Sequence, residues 1–98
     1  MDYVQLLAQD RRLSILRLLN DSGGGLNDSI AQSALDSLGL PSAREDIRDD
    51  FEWLAEAKLV VHEAVSPTLA TVKITQRGVD VATGRARIKG VKRPSPEV

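Results

Sequence analysis

Apolar residues recur along the first half of the chain at helical spacing. From about Asp2 to Asn20, Val4, Ala8, Ile15, Leu18 and Leu19 share one face at about 100° per residue, with Leu7 and Leu16 at its edges. The pattern predicts a long first helix, which Gly23-Gly24-Gly25 ends with a flexible turn. Asn27 reads as the N-cap of a second helix, because its side chain can accept a bond from a free backbone N–H. Ile30, Ala31, Ala34, Leu35 and Leu38 carry that helix, and Gly39 supplies a left-handed stop. After Pro41, Ser42-Ala43-Arg44-Glu45 reads as a capping box with Ser42 as N-cap. It opens a third helix, whose stripe of Ala43, Ile47, Phe51 and Leu54 runs to about Ala57.

The texture then changes. Leu59 to Val65 is β-branched and largely apolar, Ser66-Pro67 breaks it, and from Leu69 to Ile74 apolar Ala70, Val72 and Ile74 alternate with Thr71 and Lys73. Two short strands joined by a tight turn predict a hairpin. Thr75 can cap a brief last helix through Val79 and Ala82 that ends at Gly84. The predicted fold class is α+β, mainly α: a winged helix-turn-helix of three helices, a two-stranded wing and a short C-terminal helix. It occupies residues 1–84, and residues 85–98, with Pro94, Pro96 and scattered charge, read as a basic, flexible tail.

Composition narrows the chemistry. Ninety-eight residues make one small domain, and with 3% aromatic residues its core must be aliphatic. The absence of cysteine removes disulfides, thiolate metal sites and thiol chemistry. No apolar run approaches the ~20 residues of a membrane span, and no signal-peptide pattern opens the chain. The expectation is a soluble protein of the bacterial cytoplasm with no membrane partner. Net charge is −1, unevenly spread: residues 1–84 hold eight Lys/Arg against thirteen Asp/Glu, and residues 85–98 hold five against one. A basic tail on an acidic domain either seeks phosphate or an acidic protein face, or simply keeps the chain soluble.

Two stretches carry a resemblance. Ser42 to Leu54, running into Leu59-Val60, resembles the recognition helix and first wing strand of bacterial winged-helix regulators. Ile74-Thr75-Gln76-Arg77-Gly78-Val79-Asp80-Val81-Ala82 resembles the strand-to-helix element that closes many such domains. The chain as a whole, with Gly90-Val91-Lys92-Arg93-Pro94, is similar to small proteins of Mu-like phages and prophages often labelled ArsR-like transcriptional regulators. The resemblance implies a DNA-binding regulator. It departs at Lys58, where the common pattern has Gly, and the metal sensing of some ArsR-type proteins does not carry over to a chain with no Cys and one His.

Winged helices read DNA by placing the third helix in the major groove and the wing on phosphates, but they also serve as protein-docking modules. Arg44 and Arg48, one turn apart near the start of the third helix, are the candidate base or phosphate contacts, with Ser42 and the helix N-terminus beside them. Opposite the apolar stripe stand Glu45, Asp49, Glu52 and Glu56, with Asp46 beside them, and carboxylates facing phosphate oppose binding. Arg48 can instead pair on the surface with Glu52 or Glu45. Lys73 and Arg77 lie behind the wing tip, and Arg85, Arg87, Lys89, Lys92 and Arg93 are expected to hold phosphates without reading sequence.

The remaining residues offer protein contacts. Trp53 either anchors a partner or packs under the tail or on the first helix. Leu6 and Leu13, on the far side of the first helix, either form a homodimer seam or are covered by the tail or the last helix. Arg11, among apolar neighbours, requires a carboxylate, and Asp50 is the expected partner. His62 has no second ligand at useful spacing, and no nucleophile–base or phosphate-loop pattern is present. No cofactor, metal or enzyme activity is expected. The leading expectation is a dimeric regulator binding double-stranded DNA; the alternative is a protein-docking module using Trp53 and the acidic helix face.

Overall fold

Short polar side chains cap three of the four helix N-termini in the computed structural model, which describes residues 2–94 apart from the side chains of residues 64–66. Helix α1 (Tyr3–Asp21) starts where the Asp2 carboxylate accepts the Gln5 N–H at 2.9 Å. Helix α2 (Asp28–Ser37) follows Asn27, whose side chain accepts the Ile30 N–H at 2.8 Å, as predicted. Helix α3 (Arg44–Glu56) departs from expectation, because its cap position is Ala43 and no side chain caps it. The Ser42 hydroxyl donates to the Leu40 carbonyl at 2.9 Å instead, and Gln32 Nε2 donates to the Ser42 carbonyl at 3.0 Å. A local bond within the turn has taken the hydroxyl from the helix amides. Helix α4 (Gln76–Ala82) starts at Thr75, which accepts the Gly78 N–H at 3.1 Å.

Strands β1 (Gly25–Asn27), β2 (Val60–Ser66) and β3 (Leu69–Ile74) form an antiparallel sheet in the order β1-β3-β2. Leu26 lies opposite Val72, and both are buried. A three-residue strand is too short to show alternation, so the predicted two-stranded sheet gains a third member. The chain is thus a mainly helical α+β domain with four helices, the short last one included, and its layout is compatible with a winged-helix-like fold.

Lys58 takes a left-handed conformation at φ 66°, the conformation that glycine adopts most easily. The Thr75 hydroxyl stands 2.8 Å from the Lys58 carbonyl and 3.0 Å from that of Leu59, which joins the start of α4 to the start of β2. Gly78 completes this junction, since a β-carbon there would collide with the Leu59 carbonyl.

The core lies between the three long helices and the sheet. Ile15, Leu16 and Leu19 of α1, Leu35 of α2, Ile47, Phe51 and Leu54 of α3, and Leu59 and Val72 are all fully buried. The face predicted for α1 is displaced: Val4 is exposed, whereas Leu13, expected on the far side, is buried. Helix α4 packs on α1 and the chain beyond it crosses α1 again, so the buried arc is wider than one stripe. A seam pairing Leu6 with Leu13 is therefore excluded, although Leu6 itself is exposed together with Tyr3.

The segment after α4 follows a defined path. The Arg85 and Ala86 amides donate to the Asp80 carbonyl at 2.8 and 3.0 Å, Lys92 N–H donates to Gln9 O at 3.1 Å, and Val91 is buried. Residues 95–98, the end of the predicted tail, lie outside the described residues. Among the described residues no helix is long and apolar enough to cross a membrane.

Candidate functional site

The two arginines singled out on α3 do project from its first turns, but their partners are not the predicted surface acids. Arg48 Nε donates to Asp28 Oδ2 at 2.6 Å, and its Nη2 donates to the Thr68 carbonyl of the β2–β3 turn at 3.0 Å. Arg44 Nε and Nη2 each stand 3.3 Å from Gln32 Oε1, and its Nη1 is 4.0 Å from Asp28 Oδ1. The Asp28 side chain is completely buried, whereas those of Arg44 and Arg48 remain 39% and 47% exposed. One carboxylate at the start of α2 thus ties together α2, α3 and the β2–β3 turn, and presents two guanidinium groups to solvent.

Burial pushes the Asp28 carboxyl up. The Arg48 hydrogen bond, the backbone of Ala70 and the charges of Arg48 and Arg44 together outweigh it, and hold the carboxyl below its ordinary value of 3.8. Asp28 Oδ1 has no hydrogen-bond partner among the described residues. Inside such an environment an ionised carboxylate is costly without cations beside it, which favours keeping Arg48 in direct contact and Arg44 close by.

Around this pair the surface is acidic. Glu45, Asp46, Asp49, Glu52 and Glu56 are all exposed along the outer side of α3. Ser42 joins the arginines only indirectly, because its carbonyl and Arg44 share Gln32. Lys73 does not join them. It stands on β3 opposite Gly25 and Val61, five positions and roughly 16 Å of extended strand from Thr68. Arg77 is exposed on α4, where its Nε donates to the Ala57 carbonyl at 3.2 Å.

Trp53 is partly buried rather than presented. The Arg12 guanidinium carbon lies 4.2 Å from the centre of its ring, and Gly90 rests against the ring where a β-carbon would collide. Of the two roles expected for Trp53, packing under the C-terminal segment is the one observed. Arg12 Nε also donates to Asp50 Oδ1 at 3.0 Å, and its Nη1 donates to Gly90 O at 3.0 Å. The Arg11–Asp50 pair expected from the sequence is present as a close ion pair. The five cations of the C-terminal segment are exposed, and Lys92 Nζ lies 3.6 Å from Asp10. Arg87, Lys89, Lys92 and Arg93 border one cavity, whose lining includes neither Arg44 nor Arg48.

Asp28, Gln32 and Arg12 were not foreseen. An acid in the first turn of a helix favours the helix dipole and so draws no notice. The partners of Asp28 lie 16 and 20 residues away, beyond any spacing rule.

No protein-family model matches the chain, and no solved structure matches it significantly. Over 91 residues it is 47% identical to the uncharacterized protein gp26 of Escherichia phage Mu, a span covering 93% of this chain and 94% of gp26. Over 97 residues it is 33% identical to an uncharacterized protein of Haemophilus influenzae, covering 99% of this chain and 95% of that protein.

Proposed function

The chain belongs to the family of phage Mu gp26, and from that premise we propose that it is a phage-type winged-helix regulator that binds double-stranded DNA in the host cytoplasm. The observation that carries this reading is the buried Asp28 fixing Arg44 and Arg48 on the first turns of α3. Guanidinium groups held in one geometry lose less conformational freedom on meeting a base edge or a phosphate. The bond from Arg48 to Thr68 couples this pair to the β2–β3 wing, so helix and wing approach the duplex as one body.

The acidic ridge of α3 then acts as a constraint. Five exposed carboxylates cannot lie along phosphates without cost, and Glu45 and Asp46 stand in the first turn itself, so α3 approaches by the side that carries Arg44 and Arg48. Nonspecific affinity is low in consequence, and base contacts carry a large share of binding. If the protein works as a dimer, its seam uses the exposed Tyr3, Val4 and Leu6 rather than Leu13.

The test is binding to phage-genome fragments across a salt series. The expected result is selective, salt-sensitive binding that falls about tenfold or more in Arg44→Ala and Arg48→Ala. The same ridge favours one other reading, a module that docks a cationic protein along Glu45, Asp49, Glu52 and Glu56. Absence of duplex binding at low salt, with affinity for a basic protein that is lost on neutralising those acids, would establish it instead.

A further inference from the structure

The C-terminal segment closes into a loop around a cavity of about 510 Å³, within the size range of small-molecule sites. Val81, Ile88 and Val91 supply apolar lining, and Arg87, Lys89, Lys92 and Arg93 supply charge. Only Lys92 has an acidic partner among the described residues, Asp10 at 3.6 Å. Three cations without an acidic partner among the described residues, with the paired Lys92 beside them, repel one another around one cavity, and an extended chain would spread them apart. Packing imposes their convergence. Gly90, at φ 103°, brings backbone against the Trp53 ring where no side chain fits, and Arg12 holds its carbonyl. The Lys92 amide is fastened to Gln9 of α1.

We propose that this loop is a binding site for a phosphate-bearing ligand of nucleotide size. A phosphate group carries more than one charge and several acceptor oxygens, so it can satisfy several cations at once where a single carboxylate cannot. The apolar lining suits the less polar body attached to it. The site lies apart from Arg44 and Arg48 and does not depend on the DNA-binding reading of α3. Its phosphate comes either from a free nucleotide or from the backbone of a nucleic acid.

Trp53 is the single tryptophan of the chain and sits directly beneath Gly90, so its fluorescence reports on the loop. The full-length protein is titrated with inorganic phosphate, AMP, ATP, a short single-stranded oligonucleotide and, as a polycarboxylate control, citrate. The expected result is a saturable, salt-sensitive change with a nucleotide or the oligonucleotide, weakened about tenfold or more in Arg87→Gln/Lys89→Gln with an unchanged melting temperature. Tighter binding of ATP than of the oligonucleotide identifies a free nucleotide as the ligand, and the reverse identifies a nucleic-acid backbone. Arg44→Lys/Arg48→Lys, which keeps cations beside Asp28 while removing the guanidinium forks, leaves the response intact. The proposal is overturned if no phosphate compound gives a saturable response, if citrate binds as well as ATP, if the loop variant responds like the parent, or if the α3 variant abolishes binding.

Discussion

Two buried aspartates, each held by two arginines, stand at opposite ends of the same chemistry. Asp50 meets Arg11 and Arg12, whose side chains are 14% and 18% exposed. Asp28 meets Arg44 and Arg48, which are 39% and 47% exposed. Around Asp50 the arginines are largely covered: Arg12 also donates to the Gly90 carbonyl and lies over Trp53. Around Asp28, itself completely buried, both guanidinium groups border solvent. The first cluster joins α1, α3 and the C-terminal segment, and the fold covers most of it. The second joins α2, α3 and the β2–β3 turn and leaves its two guanidinium groups partly open to solvent. A buried ion pair is therefore not in itself a mark of function; what differs between the two clusters is how far their arginines reach solvent.

The largest expected effect comes from breaking the closed cluster. Asp50→Ala leaves two poorly exposed arginines without their anion, and a loss of about 3–5 kcal/mol is expected. It should appear as a fall in melting temperature of roughly 10 °C or more by thermal denaturation. Gly90→Ala probes the same cluster without touching a charge. A methyl group on the Trp53 ring, at a positive φ, should lift the segment, cost about 1–3 kcal/mol and shift Trp53 emission to longer wavelength. Unchanged emission would show that the segment does not need to lie on Trp53.

A smaller effect is expected at the open cluster. Asp28→Asn keeps the shape and removes the charge, and should cost about 1–3 kcal/mol near neutral pH. The folded carboxyl is held below its ordinary value of 3.8, so its contribution is complete above the unfolded pKa and disappears as pH falls through the lower folded value. The stability gap between parent and Asp28→Asn should thus be constant above about pH 5 and shrink below about pH 4. A gap that is already closing between neutral pH and about pH 5 would contradict the pairing.

The same contrast explains which features were legible in the sequence. Arg11 sits among apolar neighbours on a helix, an anomaly that demands a carboxylate, and Asp50 at the edge of the α3 stripe answers it. Asp28 stands where an acid is commonplace, and its burial arises from the approach of the wing, a long-range event. Asn27, Thr75 and Gly39 were readable because their chemistry acts within a few residues. Ser42 matched a cap pattern equally well, but a competing local bond took its hydroxyl. β1 carries too few residues to show a period, and the fit of Gly90 on Trp53 links positions 37 residues apart in a segment whose charge and prolines suggested a flexible tail. The identity of the fold elements was legible; which arginines would be covered and which presented was not.

The most direct measurement sets one arginine from each cluster side by side. Arg48→Ala and Arg11→Ala are assayed together for melting temperature and for affinity toward duplex fragments selected from phage DNA. Arg48→Ala should lose about tenfold or more in affinity with the smaller fall in melting temperature, and Arg11→Ala should melt markedly lower while binding normally where it is folded. Undiminished duplex binding by Arg48→Ala, or equal losses of affinity in both variants, would contradict the claim that the open cluster is the site presented to a partner.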